Sequence, residues 1–260
     1  MKQHNSPFKL RKSGLERKSQ GKENKMYSFE SRIRYSELSE NGCLSLDSMI
    51  NYMQDCVCFE SEDLGVGMEH LSQQHHTWVL NFWQIVIDRY PRMGEKMLVG
   101  TQACGCEKMF GYRNFMLTDE KGEYIAKANS IWILIDQKKG RPVMVTPQEA
   151  AVYGNAEPIE MDYAPRKITV PVGGEKKPSL TVQEYHLDTN HHVNNGQYVR
   201  MASSFVPRDE IVRELRVEYK KQARLGDEIV PVLFEQETGY LVALNGVDKK
   251  PYAIVEFLVK

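Results

Sequence analysis

The most telling absences in this 260-residue sequence concern membranes, disulfides and metals. No apolar run is long enough to cross a bilayer, and the N-terminus lacks the apolar core of a secretory signal. We therefore expect a cytoplasmic protein without stable membrane insertion. The five cysteines are odd in number and all lie in the first half, which favours reduced thiols over a disulfide framework. Because the paired cysteines are spaced C-x-C, closer than in most zinc sites, we expect no metal. We also expect no cofactor.

Net charge is also small, a formal −1 at pH 7, but it is unevenly distributed. Residues 1–25 carry eight Lys and Arg against two Glu, a balance of +6, so the rest of the chain sums to −7. This basic tail has few large apolar residues and is predicted to be disordered. A nucleic-acid arm, a weak targeting segment and an extension upstream of a start at Met26 are all compatible with it. We favour a solvated extension without chemistry, and hence no nucleic-acid partner.

The chain beyond the tail has enough hydrophobic residues for a core, and its pattern occurs twice. Each half is predicted to begin with a short strand, continue with one amphipathic helix and end with a run of strands. The first helix carries Leu46, Ile50, Met53 and Val57 at helical spacing. The strands of the first half are predicted over residues 27–36, 78–90, 96–104, 112–117 and 124–135. Those of the second half are predicted over residues 179–187, 212–223, 229–235, 240–245 and 251–259.

Local echoes support this repeat. The turn at residues 92–95 (Arg-Met-Gly-Glu) matches the turn at residues 224–227 (Arg-Leu-Gly-Asp). Residues 146–178, between the halves, are rich in Pro, Gly and charge, which is typical of a linker. We therefore predict an α+β protein with two tandem hot-dog domains, at residues 26–145 and 179–260, each an antiparallel sheet wrapped around a central helix. Such a chain can function as a monomer or pair further as a homodimer.

The residues with the clearest chemical potential directly precede the second helix. Asp188, Asn190 and His192 place an acid, an amide and a base beside a helix whose N-cap is predicted to be Asn194. Such a set can hold a water, make it nucleophilic and stabilise an oxyanion. A polar loop that ends in an N-cap explains the same residues, so the motif alone does not decide. The apolar residues at helical spacing in that helix are Tyr198, Met201, Ala202 and Phe205.

Four stretches of the sequence resemble motifs of the acyl-acyl-carrier-protein thioesterases of plants and bacteria. They are residues 77–80 together with 87–94, residues 128–132, residues 188–198 and residues 218–221. They follow the order of the family's motifs, and the resemblance covers the chain except the basic tail. It implies hydrolysis of the thioester of an acyl-acyl carrier protein, which releases a free fatty acid and ends fatty acid synthesis. It also implies an acyl chain held by the first domain and chemistry in the second.

One position departs from the family pattern. Plant members carry a Glu-Cys pair after the last of these stretches, where this chain has Gln222 and Ala223. Alanine has no nucleophilic atom and every cysteine lies in the other half, so a cysteine–histidine mechanism is excluded in its usual form. We therefore expect hydrolysis by water. Gln222 can orient that water but cannot act as its base.

Roles for the catalytic residues follow from thioester chemistry. Asp188 is expected to activate water as general base, and direct attack by its carboxylate through an anhydride is the alternative. Asn190 is expected to orient the water or the carbonyl. His192 is expected to donate to the developing charge or to protonate the departing sulfur. The backbone N–H groups expected to stabilise the oxyanion are those of Val193, Asn194 and Asn195.

An acyl chain needs an apolar channel, and its carrier protein needs a docking surface. Methionines adapt to irregular cavities and so suit the channel. The candidate pocket residues are Met49, Met53, Trp78, Phe82 and Trp83. Acyl carrier proteins are strongly acidic, so a local basic patch is expected to bind the carrier. The candidate docking residues are Lys220, Lys221 and Arg224.

Two other functions remain open at the level of the sequence. Another hot-dog enzyme, an acyl-coenzyme A thioesterase or a hydratase, would differ in carrier or product. A non-enzymatic regulator that senses acyl thioesters would bind DNA through its tail, but residues 1–25 lack the patterned helices of a helix-turn-helix. The sequence does not specify the length or saturation of the acyl chain.

Overall fold

The structure is a computed structural model that describes residues 26–259. The basic tail predicted over residues 1–25 lies outside the described residues. The elements of the first half are β1 (Tyr27–Arg32), α1 (Leu46–Asp63), α2 (Met68–Gln73), β2 (His76–Ile87), β3 (Lys96–Glu107), β4 (Phe110–Asp119), β5 (Tyr124–Asp136), β6 (Arg141–Pro142) and α3 (Pro147–Tyr153). The elements of the second half are β7 (Glu175–Lys176), β8 (Leu180–Thr181), α4 (Asn195–Ser203), β9 (Glu214–Tyr219), β10 (Glu228–Gln236), β11 (Gly239–Asn245) and β12 (Pro251–Leu258).

The strands form one sheet whose main order is β1-β3-β4-β5-β2-β9-β12-β11-β10-β7. Its two halves mirror each other and join where β2 pairs with β9, with Phe82 opposite Glu218 and Val86 opposite Glu214. Every strand pair in the described part of the chain is antiparallel. Helices α1 and α4 pack on one face of this sheet and against each other. The predicted α+β architecture with tandem hot-dog units is confirmed.

The two central helices begin at side-chain caps. The Oγ atom of Ser45 accepts the N–H of Ser48 at 3.3 Å before α1, and the Oδ1 atom of Asn194 accepts the N–H of Gly196 at 2.8 Å before α4. The predicted N-cap at Asn194 is therefore confirmed. Helix α4 ends at Ser203, so Phe205 lies beyond it. The buried residues of the two helices include Met49, Ile50, Met53, Cys56, Tyr198, Val199 and Met201.

Several predicted strands are shorter in the structure. The strand predicted over residues 27–36 ends at Arg32 and gives way to a 3₁₀ turn at Tyr35–Glu37. Of the strand predicted over residues 179–187, only Leu180–Thr181 forms a strand, a second 3₁₀ turn follows at Glu184–His186, and Leu187 makes an isolated bridge to Val193. Alternation of polar and apolar residues occurs in extended loops as well as in strands, so it does not mark where pairing stops.

Residues 146–178 are more structured than the linker pattern predicts. Thr146 caps α3 through a reciprocal pair of hydrogen bonds with Glu149, a capping box that the sequence reading overlooked. Further along, the backbone N–H of Ala164 donates to Oε1 of Gln84 at 2.8 Å, and that of Ile168 donates to Oε2 of Glu218 at 3.0 Å. The segment thus covers the sheet face opposite the helices. The domain boundaries themselves stay a prediction.

The internal repeat extends to individual hydrogen bonds. Gly94 and Gly226 take φ angles of 84° and 81° in the two matching turns, a left-handed conformation that favours glycine. The backbone N–H of Arg92 donates to the carboxylate of Glu95 at 2.7 Å, and that of Arg224 donates to the carboxylate of Asp227 at 2.9 Å. The match read from the sequence therefore reflects one turn used twice.

Candidate active site

The predicted catalytic residues lie on one tight loop between the second 3₁₀ turn and helix α4. The Oδ1 atom of Asp188 organises this loop by accepting the backbone N–H groups of Asn190 at 2.8 Å and His192 at 3.2 Å. The backbone N–H of Asp188 donates in turn to the carbonyl of His192 at 2.8 Å. The Oδ2 atom of Asp188 takes part in no hydrogen bond among the described residues, so this is the oxygen that can bind a water.

The first half contains a twin of this loop at residues 39–45. The backbone N–H of Ser39 donates to the carbonyl of Cys43 at 2.9 Å, as that of Asp188 does to His192. Both loops lead into the N-cap of a central helix. The twin carries a hydroxyl and a thiol where the second loop carries a carboxylate and an imidazole. Only the second-half loop therefore combines a general base with a histidine.

His192 is half-buried at the end of the loop. Burial lowers the pKa of His192 below its usual value, the charge of Arg224 lowers it further, and Asp188 opposes these effects in part. Its Nδ1 atom is buried without a hydrogen-bond partner in the described part of the chain, so Nε2 is the ring nitrogen that a substrate can reach. A neutral ring that carries its proton on Nε2 can donate a hydrogen bond at neutral pH.

Two of the three predicted oxyanion donors are already occupied. The N–H of Val193 donates to the carbonyl of Ala223 at 3.0 Å, and that of Asn194 donates to the carbonyl of His186 at 2.9 Å. The prediction is wrong for these two groups, because the loop uses them to attach itself to its neighbours. The N–H of Asn195, at the head of α4, has no acceptor in the hydrogen bonds of the described residues and remains available.

Gln222 lies beside the loop because its neighbour Ala223 is bonded there. The carbonyl of Ala223 accepts from Val193, and its N–H donates to the hydroxyl of Tyr198 at 2.8 Å. Ala223 is fully buried, whereas the side chain of Gln222 is exposed. Exposed Asn190 lies on the loop itself. Roles for these two carboxamides in orienting water stay predictions.

The three predicted docking residues differ in their surroundings. Lys220 forms an ion pair with buried Glu218, and the ammonium of Lys221 lies over the ring of Tyr252 at 5.1 Å from its centroid. Arg224 lies close enough to His192 to lower the pKa of that ring. All three basic side chains are on exposed residues at the same end of β9 as the loop.

The predicted pocket residues do not share one face of the sheet. Met49 and Met53 are fully buried on α1, and Trp83 packs in the same core beneath the helices. Phe82 is also fully buried, but it packs with Ile168 on the opposite face. Phe82 and Trp83 are separated in this way because neighbouring residues of a strand point to opposite faces. A role of Phe82 in the pocket stays a prediction, but it is not shared with Met49 and Met53 on one face.

Trp78 lies near the start of β2, half-buried. Its ring packs over Gly111 on β4, where an added Cβ would lie 3.1 Å from the indole. It is thus placed on the first-half sheet, and a role in the pocket stays a prediction.

Sequence reasoning missed two polar residues that contact the head of α4. The Nδ2 atom of Asn195 donates to Oε1 of Gln54 on α1 at 2.5 Å. The hydroxyl of Tyr219 donates to the carbonyl of Asn195 at 3.0 Å. A signal for the first was present, since Asp47, Asn51 and Gln54 recur at helical spacing as a polar stripe on a largely buried helix.

The two buried thiols are poorly suited to nucleophilic attack. Burial raises the pKa of Cys56 to about 12 and that of Cys104 to about 11, so both remain protonated at neutral pH. The position next to Gln222 is occupied by buried Ala223. The loop residues Asp188, Asn190 and His192, together with Gln222, therefore supply a carboxylate, carboxamides and an imidazole, and no thiol.

Two further features of the described residues concern metal binding and membrane-spanning helices. Over residues 26–259, no group of three or more His, Cys, Asp and Glu side chains is arranged to hold a metal ion. Within the same range, no helix has both the length and the apolar character needed to span a membrane.

Comparison with known families gives matches to both halves of the chain. The family model of the acyl-ACP thioesterase N-terminal domain matches residues 24–153, and that of the acyl-ACP thioesterase C-terminal domain matches residues 171–247. A curated acyl-[acyl-carrier-protein] hydrolase of Cuphea viscosissima is 26% identical over 208 residues, which are 74% of this chain and 50% of the relative. This chain thus spans about half the length of the curated relatives it matches. Those plant relatives are chloroplastic, and the predicted cytoplasmic location stays a prediction for this chain.

Solved structures show the same fold. A crystal structure of an acyl-ACP thioesterase from Bacteroides thetaiotaomicron superposes with a TM-score of 0.85 at 24% identity, covering 93% of this chain and 100% of that one. A 12:0-ACP thioesterase from Umbellularia californica superposes with a TM-score of 0.78 at 16% identity, covering 90% of this chain and 96% of that one.

The charge of Arg224 gives a test of the electrostatics around the loop. Replacing Arg224 by Gln removes a cation that disfavours the imidazolium, so the pKa of His192 should rise while burial still holds it below its usual value. An NMR titration of the histidine ring signals measures this shift. The matched control is Arg200→Gln, because Arg200 lowers the pKa of His186. That variant should raise the pKa of His186 and leave His192 unchanged, and the opposite pattern would refute the assignment.

Proposed function

The chain belongs to the acyl-ACP thioesterase family, and on that premise we propose that it hydrolyses acyl-acyl carrier protein thioesters to free fatty acids. The observation that carries the proposal is the Asp188 carboxylate. Two backbone hydrogen bonds fix one of its oxygens, which leaves the other for a water next to His192. A carboxylate held this way can accept a proton from water without first reorganising.

The reaction balances without a covalent enzyme intermediate. Asp188 takes a proton from water as the water oxygen bonds to the thioester carbon and the carbonyl becomes an oxyanion. When the tetrahedral intermediate collapses, the carbon–sulfur bond breaks and the proton that Asp188 took from water passes to the sulfur, so the carrier leaves as a thiol and Asp188 is a carboxylate again. Neutral His192, reached through Nε2, donates a hydrogen bond to the departing sulfur, and exposed Asn190 and Gln222 orient the water. The fatty acid releases its remaining proton to solvent.

The first half is proposed to receive the acyl chain. Met49, Met53 and Trp83 form part of a buried apolar layer between α1 and the sheet. Thioether side chains change shape at low cost, which suits a flexible hydrocarbon entering from the loop. Because α1 packs against α4, this layer adjoins the helix that begins at the loop of Asp188 and His192.

Replacing Asp188 by Asn tests the proposed base. The amide oxygen can still accept the two loop hydrogen bonds, so the fold should persist, but the base is lost and kcat should fall by about 10²–10⁴-fold. Release of fatty acid from acyl-acyl carrier protein measures the effect. The matched control is Ser39→Ala in the twin loop, which should leave kcat near that of the wild type. A folded Asp188→Asn protein with wild-type turnover would disprove the role of Asp188.

The absence of a nucleophilic thiol gives a second test. A variant in which all five cysteines are replaced by Ser or Ala should keep most of its kcat, because none of them attacks the thioester. Losses should be limited to stability, since Cys56 and Cys104 are buried. Single-cysteine variants with checked folding complete the series. If one of them abolished turnover while folded, hydrolysis by water would have to be abandoned.

Carrier docking is proposed to use the basic residues beyond β9. Reversing the charge in Lys221→Glu should lower kcat/KM for acyl-acyl carrier protein, because steering accelerates association with an acidic partner. The loss should shrink as salt rises, and hydrolysis of a short carrier-free thioester should hardly change. Lys138→Glu, an exposed charge reversal in the first half, is the control. Equal losses of Lys221→Glu on both substrates would remove the case for docking there.

A further inference from the structure

One polar contact joins the two halves at the head of α4. Oε1 of Gln54, on α1, accepts the Nδ2 hydrogen of Asn195 at 2.5 Å. The helices approach closely there, because a Cβ added to Gly196 would lie 2.9 Å from Oδ1 of Asn51. A glycine at this position permits that approach. The start of the catalytic half's helix is therefore held by a residue of the first half.

Asn195 is held at a second point as well. Its carbonyl accepts the hydroxyl of buried Tyr219 at 3.0 Å. With its side chain and its carbonyl both fixed, the direction of its backbone N–H is fixed too. The backbone N–H groups of Val193 and Asn194 donate to other carbonyls, whereas the backbone N–H of Asn195 is available to a ligand.

Gln54 has unused donors at the same place. Its oxygen is occupied by Asn195, while its Nε2 hydrogens have no partner in the hydrogen bonds of the described residues. The residue is half-buried, so its amide lies at the surface of the helix contact, within reach of a ligand. A carboxamide anchored through its oxygen has its nitrogen preoriented for an acceptor.

The internal repeat offers a comparison within the same chain. The positions that correspond to Asn195 and Gln54 at the twin loop are Leu46 and Ser203. The hydroxyl of Ser203 donates to the carbonyl of Val199 in its own helix, so no polar bridge forms between helices there. The carboxamide pair thus occurs on the side of the molecule that carries Asp188 and His192, and not on the side of the twin loop.

We propose that Nε2 of Gln54 and the backbone N–H of Asn195 together bind the carbonyl oxygen of the thioester and stabilise its oxyanion. The site would then be built by both halves, with the first half contributing to the chemistry as well as holding the acyl chain. This inference rests on the proposed thioester hydrolysis. Preorganised donors aimed at a developing oxyanion act mainly on the transition state, and the positive end of α4 adds to the effect.

The test compares three variants by steady-state kinetics. Gln54→Met keeps the length of the side chain but removes its donors, and it should lower kcat by about 10²-fold with little change in KM. Gln54→Glu still accepts from Asn195 but cannot donate when ionised, and its carboxylate repels the oxyanion, so its loss should be at least as large. Ser203→Ala, at the twin position, should keep wild-type kcat. Thermal unfolding confirms that each variant is folded.

Both an acyl-acyl carrier protein and an acyl-N-acetylcysteamine thioester serve as substrates. Equal losses on the two place the effect on the carbonyl, whereas a loss confined to the carrier substrate overturns the inference in favour of docking. Wild-type kcat in folded Gln54→Glu also overturns it, since Gln54 would then only position Asn195. A wild-type protein that hydrolyses neither thioester overturns the proposed function and this inference together. An active wild type with an equally active Gln54→Met overturns the inference alone.

Discussion

The pairing of β2 with β9 is the interaction on which the rest of the structure depends. It joins two half-sheets into one, with Trp83 directly opposite Val217 at the junction. Because the sheet is continuous, α1 and α4 share one face and must pack against each other. That packing brings Gln54 to Asn195, at the head of the helix that follows the loop of Asp188 and His192. A site formed from two halves follows from a single strand pairing.

The repeat also shows how one backbone design supports different chemistry. Ser39 and Asp188 close their loops with the same backbone hydrogen bond, and each loop ends in a helix cap. The backbone geometry therefore comes from the fold and the reactivity from a few side chains. Of the two loops, only the second-half loop carries both a carboxylate, Asp188, and an imidazole, His192. The two halves of the nearly symmetric sheet therefore differ in their chemistry.

Features set by neighbouring residues could be predicted from the sequence, whereas features set by distant contacts could not. The cap at Asn194 and the turns at Gly94 and Gly226 depend on a few adjacent residues, and they were predicted correctly. The engagement of the Val193 N–H depends on a carbonyl thirty residues further along the chain, Ala223, and was missed. The sequence also did not show that Phe82 lies on the sheet face opposite the helices. Its strand has an irregularity between Leu80 and Phe82, and apolar residues cover both sides of the sheet there.

The electrostatics of the loop fit the proposed division of roles. Burial and the charge of Arg224 both disfavour the imidazolium form of His192, so a neutral ring faces the substrate. The same positive charge favours the negative charge that develops on the carbonyl oxygen and on the departing sulfur. Proton removal from water then falls to Asp188, the carboxylate on the loop. A thiolate is a good leaving group, so such a site needs an oriented water and stabilised charge more than it needs a nucleophilic cysteine, and Ala223 at the position of the family cysteine is consistent with this chemistry.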